Sequence, residues 1–304
     1  MFAAFLAAFF FALNATCASH SVRAIGSMRA NLSRLVVAVI ILALFAHTFG
    51  HGFSSASVWW FMLSGVIGMG LGDLGVYAAL PMLGSRLTVL MTQCLAAPIA
   101  ALGEWWWLGT RLTLAQMLWG LIVLAGVAVA IMPSKAHPPR VHVRPIGFVF
   151  GLVAAAGQGF GALVSRKGVM VADAAGEVTH EATFGLNAAY HRILAGLAFT
   201  VVWFLVMRSF RRLSDVHLPK NADETRRSVF WILANGLAGP VIGVSCYQWA
   251  LATTPSGLVL PIAATTPLLA IPIAFWLERD RPTKRSLVGG VIAVAGCIAL
   301  TVAK

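Results

Sequence analysis

Ser64-Gly65-Val66-Ile67-Gly68-Met69-Gly70-Leu71-Gly72 and Asn235-Gly236-Leu237-Ala238-Gly239-Pro240-Val241-Ile242-Gly243 lie 171 residues apart (64 to 235) and share glycines at 65 and 236, 68 and 239, 72 and 243. The same shift sets Ala79-Leu80 on Ala250-Leu251, Ser85 on Ser256 and Leu87 on Leu258. A shift of 170 (120 to 290) sets Gly120, Ile122, Ala125 and Gly126 on Gly290, Ile292, Ala295 and Gly296. Glycines at helical spacing arise by chance in apolar sequence, but a common order at a near-constant offset marks a duplicated unit.

Composition says what kind of unit this is. Of the 304 residues 59% are hydrophobic and 11% charged, with a mean hydropathy of +0.85. Soluble domains carry about 25% charge, so an ordinary soluble fold is excluded. Ten apolar runs emerge: 1–18, 35–50, 58–80, 87–108, 112–132, 146–164, 184–207, 229–251, 257–277 and 287–303. In lipid the backbone must satisfy its own hydrogen bonds, and the alternation of a barrel is absent, so each run is expected to be a helix. The polar, proline-rich stretch from Pro133 to Arg140 cannot continue a helix. It divides the chain into a first repeat over 1–132, a linker over 133–145 and a second repeat over 146–304. Five spans per repeat is an odd number, so the second copy crosses the membrane in the opposite sense. The expected fold is an all-α polytopic membrane protein, ten transmembrane helices as two inverted five-helix repeats.

A net charge of +12 would suggest nucleic acid in a soluble protein. Here the basic residues sit in short loops between apolar runs, where they set topology and meet lipid, and no nucleic-acid partner is expected. They concentrate in the loops after the odd-numbered spans, which by the positive-inside rule places both termini outside. Cys17, Cys94, Cys246 and Cys297 lie singly in separate runs, so neither a disulfide framework nor a zinc site is indicated. The first run lacks a basic n-region and is read as a retained helix.

Leu108-Gly109-Thr110-Arg111-Leu112-Thr113-Leu114, followed by Gly120 and Leu124-Ala125-Gly126, resembles the end of an EamA-type repeat of the drug/metabolite transporter superfamily. Thr266-Pro267 through Leu277-Glu278 to Gly290 and Gly296 resembles its second copy. The resemblance covers nearly the whole chain. It implies ten helices in two inverted repeats, movement of small metabolites, often outward, and cytoplasmic termini, opposite to the distribution of basic residues. Thr110 stands where the family usually has a glutamate, whereas the second copy keeps Glu278.

Three charged residues fall inside the spans: Asp73, Glu104 and Arg192. A charge at the bilayer centre costs at least roughly 2.5–3.5 kcal/mol, so each requires a reason. Asp73 lies deepest and shares a helix face with Tyr77, so it is expected to bind substrate or a coupling proton. Glu104 precedes Trp105-Trp106-Trp107, a headgroup-boundary signature, and is expected to reach water there. Arg192, in Ala188-x-x-x-Arg192, has a repeat counterpart in Ala30-x-x-x-Arg34; it is expected to snorkel, with pairing to Asp73 or to an anionic substrate as the alternative. Gln93, Gln248 and Thr265 are the further wall residues expected of a cavity lined mainly by spans three, four, eight and nine. Pro98, Pro240, Pro261, Pro267 and Pro272 free carbonyls inside spans.

Gly70-Leu71-Gly72-Asp73 also matches the GxGD motif of intramembrane aspartyl proteases, but that chemistry needs two carboxylates and the other aspartates fall in loops. A channel would show rings of like charge or a carbonyl filter, which are not visible. With no HExxH, GxSxG or phosphate loop, neither an enzyme nor a cofactor is expected. The reading is a secondary transporter in a bacterial inner or plasma membrane, exporting small metabolites such as amino acids by alternating access. Its partners are the solute, the bilayer and a coupling proton, and it works as a monomer or homodimer.

Overall fold

A computed structural model describes residues 1–132, 143–209, 222–278 and 284–303. The helices are α1 (Phe2–Ile25), α2 (Ser27–Thr48), α3 (Val58–Gly65), α4 (Asp73–Gly103), α5 (Leu114–Ile131), α6 (Ile146–Ala174), α7 (Ala182–Ser209), α8 (Ala222–Gly236), α9 (Val244–Thr253), α10 (Ser256–Ala263), α11 (Thr266–Glu278) and α12 (Lys284–Val302). Three π-helical segments interrupt them: Val66–Gly72, Glu104–Leu108 and Leu237–Gly243. No strand occurs among the described residues.

Eight stretches are long and apolar enough to cross a membrane: Phe2–Val22, Arg29–Thr48, Val58–Leu83, Leu87–Leu108, Leu114–Ile131, Ile146–Ala174, Ala182–Val206 and Glu224–Thr253. Ser256–Ala270 and Leu287–Val302 are shorter apolar helices and supply the ninth and tenth spans. The ninth is broken between α10 and α11, before Pro267, which has no N–H to continue the ladder. Thr265 and Thr266 hydroxyls donate to the carbonyls of Ile262 (2.7 Å) and Ala263 (2.6 Å) at this break. The helical backbone of α4 runs through the corner between spans three and four. A Cβ on Gly75 would lie 2.6 Å from Ala154 N, and one on Gly151 would lie 2.7 Å from Met91 Sδ. Both spans therefore rest on the same stretch of α6, span three running against it and span four, whose Gly103 packs on Leu163, running with it.

Three helices outrun their apolar runs. α1 continues to Ile25, α2 begins at Ser27 and α6 extends to Ala174, so Arg34 and Arg166, expected in loops, stand inside helices.

The duplication is visible in the packing. The segments Val66–Gly72 and Leu237–Gly243 are both π-helical, at the 171-residue offset of the glycine rows. A Cβ on Gly65 would lie 2.1 Å from the Arg192 carbonyl oxygen, and one on Gly236 would lie 3.3 Å from that of Arg34. Span three thus rides on span seven as span eight rides on span two. At the other edge, a Cβ on Gly126 would meet Ala293 N at 2.5 Å, and one on Gly296 would meet Val123 N at 3.1 Å. Each pair is the other's image at an offset of 170 (126 to 296, 123 to 293), so α5 and α12 make a self-complementary contact. Lipid offers no hydrophobic drive between helices, and such close backbone approach supplies dispersion contact instead.

These contacts separate two alanine substitutions. Gly65→Ala drives a methyl group into a backbone carbonyl and should cost about 3 kcal/mol through overpacking. Gly290→Ala meets nothing within 4 Å and should leave stability within about 1 kcal/mol or raise it, since alanine favours the helix. Thermal unfolding of the two variants in one detergent checks the contrast; equal midpoints would contradict this packing.

Candidate functional site

Met69 of the first π segment and Gly239 and Pro240 of the second border one cavity of about 330 Å³. That is near the lower end for ligand pockets. Its wall includes Phe11 and Asn14 of α1, Arg34 of α2, Asp73, Thr92 and Gln93 of α4, Gln158 of α6, Arg192 of α7 and Val244 and Tyr247 of α9. Leu260, Ala263 and Thr266 close it beside the break of the ninth span. Spans one, two, six and seven therefore join the expected three, four, eight and nine. They do so because each repeat's π segment packs on the first two helices of the other repeat.

Asp73 is the residue immediately after the first π segment. Its carboxylate faces Arg34 Nη2 at 3.9 Å, and Arg34 Nε in turn donates to Asn31 Oδ1 at 2.8 Å. Arg192 is 3% exposed, so it does not snorkel. Its Nη1 donates to Ser64 Oγ (2.7 Å), Ser165 Oγ (3.1 Å) and Gly161 O (3.4 Å), and its guanidinium carbon stands 5.7 Å from the Tyr247 ring centroid. A buried guanidinium needs many acceptors, and two serines and a carbonyl from spans three and six provide them. Gly68 makes room, since a Cβ there would lie 2.5 Å from Arg192 Nη2. Span eight has its own tie across the repeats, Asn235 Nδ2 donating to Ser21 Oγ at 2.9 Å.

The two repeats furnish this cavity unequally. At the 171-residue offset Asp73 corresponds to Val244 and Val76 to Tyr247, and all four line the wall. Asp73 is the one carboxylate among the lining residues. Asp173, expected in a loop, is exposed at the end of α6 and bonded to Thr179; Asp223, also expected in a loop, stands in α8 outside the wall; Asp215 and Asp280 lie outside the described residues. Two-carboxylate protease chemistry thus has no second acid in the wall.

Of the remaining sequence candidates, Gln93 lies in the wall and the Tyr77 side chain lies outside the described part of the structure. Gln248 and Thr265 are not lining residues. Gln248 is fully buried in helix packing with neither amide atom hydrogen-bonded, and Thr265 is spent on the Ile262 carbonyl. Their neighbours Tyr247 and Thr266 hold the wall positions instead. Arg34, Asn14 and Tyr247 were not singled out from sequence. Only Arg34 left a signal, its Ala-x-x-x-Arg match to Arg192.

Glu104 corrects another expectation. Trp105, Trp106 and Trp107 are exposed as a boundary cluster should be, but Glu104 is 1% exposed and turned inward. Its Oε1 accepts from Arg166 Nε at 3.1 Å and its Oε2 from Ser256 N at 3.0 Å. Arg166 Nη1 continues to the carbonyls of Leu251 (2.5 Å) and Ala252 (3.3 Å). The carboxylate caps the start of α10 and the guanidinium caps the end of α9, the signs that the two helix termini favour. One residue of the first repeat thereby clasps three elements of the second.

The EamA-like transporter family model matches residues 1–132 and 145–302. No curated protein matches the chain. A solved crystal structure superposes with a TM-score of 0.72 over 99% of this chain and 96% of its own, at 16% identity, a likeness of fold alone.

Removing one partner of a buried pair strands the other charge. Glu104→Ala should therefore lower stability by about 3–5 kcal/mol. The double variant Glu104→Ala/Arg166→Leu should lose less than the two single variants added together. A double-mutant cycle on unfolding midpoints in detergent reads this directly, and strict additivity would contradict the clasp.

Proposed function

The chain belongs to the EamA-like transporter family, and from that premise we propose that it is a secondary carrier exporting small metabolites, such as amino acids or related compounds, by alternating access. It is an integral, multi-pass membrane protein and a transporter. The observation that carries the finer reading is the cavity between the repeats. It is built on both π segments, walled by residues of eight spans and bordered by a broken helix. Broken helices beside a site at a repeat interface are a recurrent device of secondary transporters.

Asp73 is the proposed coupling group. It is the acid of the wall, it has no counterpart in the second repeat, and it sits where a π turn passes into an α-helix. Arg34 keeps its charge balanced while it waits. Proton binding to Asp73 would release Arg34 and change the balance of charge between the two repeats, so proton and solute gradients become linked through one pair. Import in place of export would use the same cavity in reverse.

The test compares solutes released by cells carrying wild type, Asp73→Asn or an empty vector, with membrane expression matched. One or a few metabolites should accumulate outside with wild type alone, and Asp73→Asn should lower that accumulation about tenfold or more, toward the vector level. Equal release by wild type and Asp73→Asn would remove Asp73 from coupling. No difference between wild type and vector would refute export.

A further inference from the structure

We infer, resting on the carrier reading, that the solute is a small amphipathic organic anion whose negatively charged group is received by Arg192. The argument is one of charge balance in the wall. Three charged side chains line the cavity: Arg34, Asp73 and Arg192. Asp73 stands 3.9 Å from Arg34 and also acts on Arg192 at longer range, so one carboxylate faces two guanidiniums and one positive charge is left over. Among the described residues no carboxylate lies within 4 Å of its guanidinium.

Arg192 is held as a receptor would be. Three hydrogen bonds fix Nη1 from one side, Nη2 rests in the slot left by Gly68, and the Tyr247 ring covers the guanidinium carbon at 5.7 Å. Neutral acceptors orient a buried cation without cancelling its charge, and a buried charge stays costly until it is paired. Arginine is suited to receive a carboxylate, because its planar fork matches two oxygens. A zwitterion would leave the wall with its unbalanced positive charge, and a cation would double it. A monoanion cancels it.

Phe11, Met69, Val76 and Leu260 share the wall with Asn14, Gln93 and Gln158, so the remainder of the solute meets a mainly apolar surface with hydrogen-bonding groups set into it. A volume of about 330 Å³ admits a single ring or short chain beside the charged group. Carboxylates related to amino acids, but without the free ammonium group, have this shape and charge.

The experiment uses purified full-length protein in detergent and four probes of one size: phenylacetate as the anion, phenylacetamide as the neutral isostere, phenethylamine as the cation and phenylalanine as the zwitterion. Binding is read as the rise in unfolding midpoint with probe concentration. Phenylacetate should bind wild type about tenfold or more tightly than phenylacetamide, the scale of one charge-assisted hydrogen bond. Arg192→Gln should erase that preference, while Asp73→Asn should keep or strengthen it by removing the like charge. Tighter binding of phenylalanine, phenethylamine or phenylacetamide would overturn the anion assignment. Because the anion and its amide are compared on wild type, the outcome does not depend on the folding of Arg192→Gln.

Reconstituted vesicles separate the two readings. Benzenesulfonate, permanently charged and unable to leak, is followed into vesicles with and without protein. Arg192-dependent binding of phenylacetate without benzenesulfonate movement supports the site assignment and counts against the carrier reading. Movement of phenylalanine but not benzenesulfonate supports the carrier and overturns the anion.

Discussion

The contact on which the rest depends is the seating of Gly65 on the backbone of Arg192, with its image at Gly236 and Arg34. Lipid tails are as apolar as the helices they surround, so burial alone cannot hold two spans together. Backbones that touch can. A side chain at residue 65 would lie 2.1 Å from the Arg192 carbonyl and would push span three off span seven. The two arginines reach the cavity because their own main chains form the interface. One feature of the sequence, the glycine rows, sets both how the repeats associate and where the two cations stand.

Symmetry of backbone and asymmetry of side chains then divide the work. The repeats supply two like walls, each with a π turn and an arginine, and the first adds an acid where the second has Val244, while the second adds Tyr247 where the first has Val76. A symmetric scaffold suits motion between two mirrored arrangements. An asymmetric lining is what the proposed anion requires, a cation at Arg192 on one side and apolar residues on another. The clasp of Glu104 and Arg166 joins the repeats independently, away from the cavity lining.

Much of this is legible in the chain itself. The glycine rows at an offset of 171 mark the duplication, and the structure adds what they do not announce, a π segment on each row and a break in the ninth span before Pro267. Helix ends are less legible, because an apolar run read from sequence stops at the first charge, whereas α1, α2 and α6 continue past it. That is why Arg34 and Arg166, the partners of Asp73 and Glu104, read as loop residues. Glu104 is misplaced for another reason. Its three tryptophans are exposed at the end of the span, but Glu104, one position earlier at the start of the π turn, is directed into the protein.

Amino-acid order by itself determined that the chain is a membrane protein, that it is duplicated and inverted, and that Asp73 and Arg192 are charges in need of partners. Those are properties of composition, period and offset, which need no neighbours. Tertiary structure alone decided which partners they have and which face of each helix meets the cavity. After the π segment, α9 is set so that Tyr247 faces the wall while Gln248, about 100° round the helix, faces the packing. The pairing of Arg34 with Asp73, or of Glu104 with Arg166, exists only because separate helices are pressed together, and that is a fact of packing rather than of order.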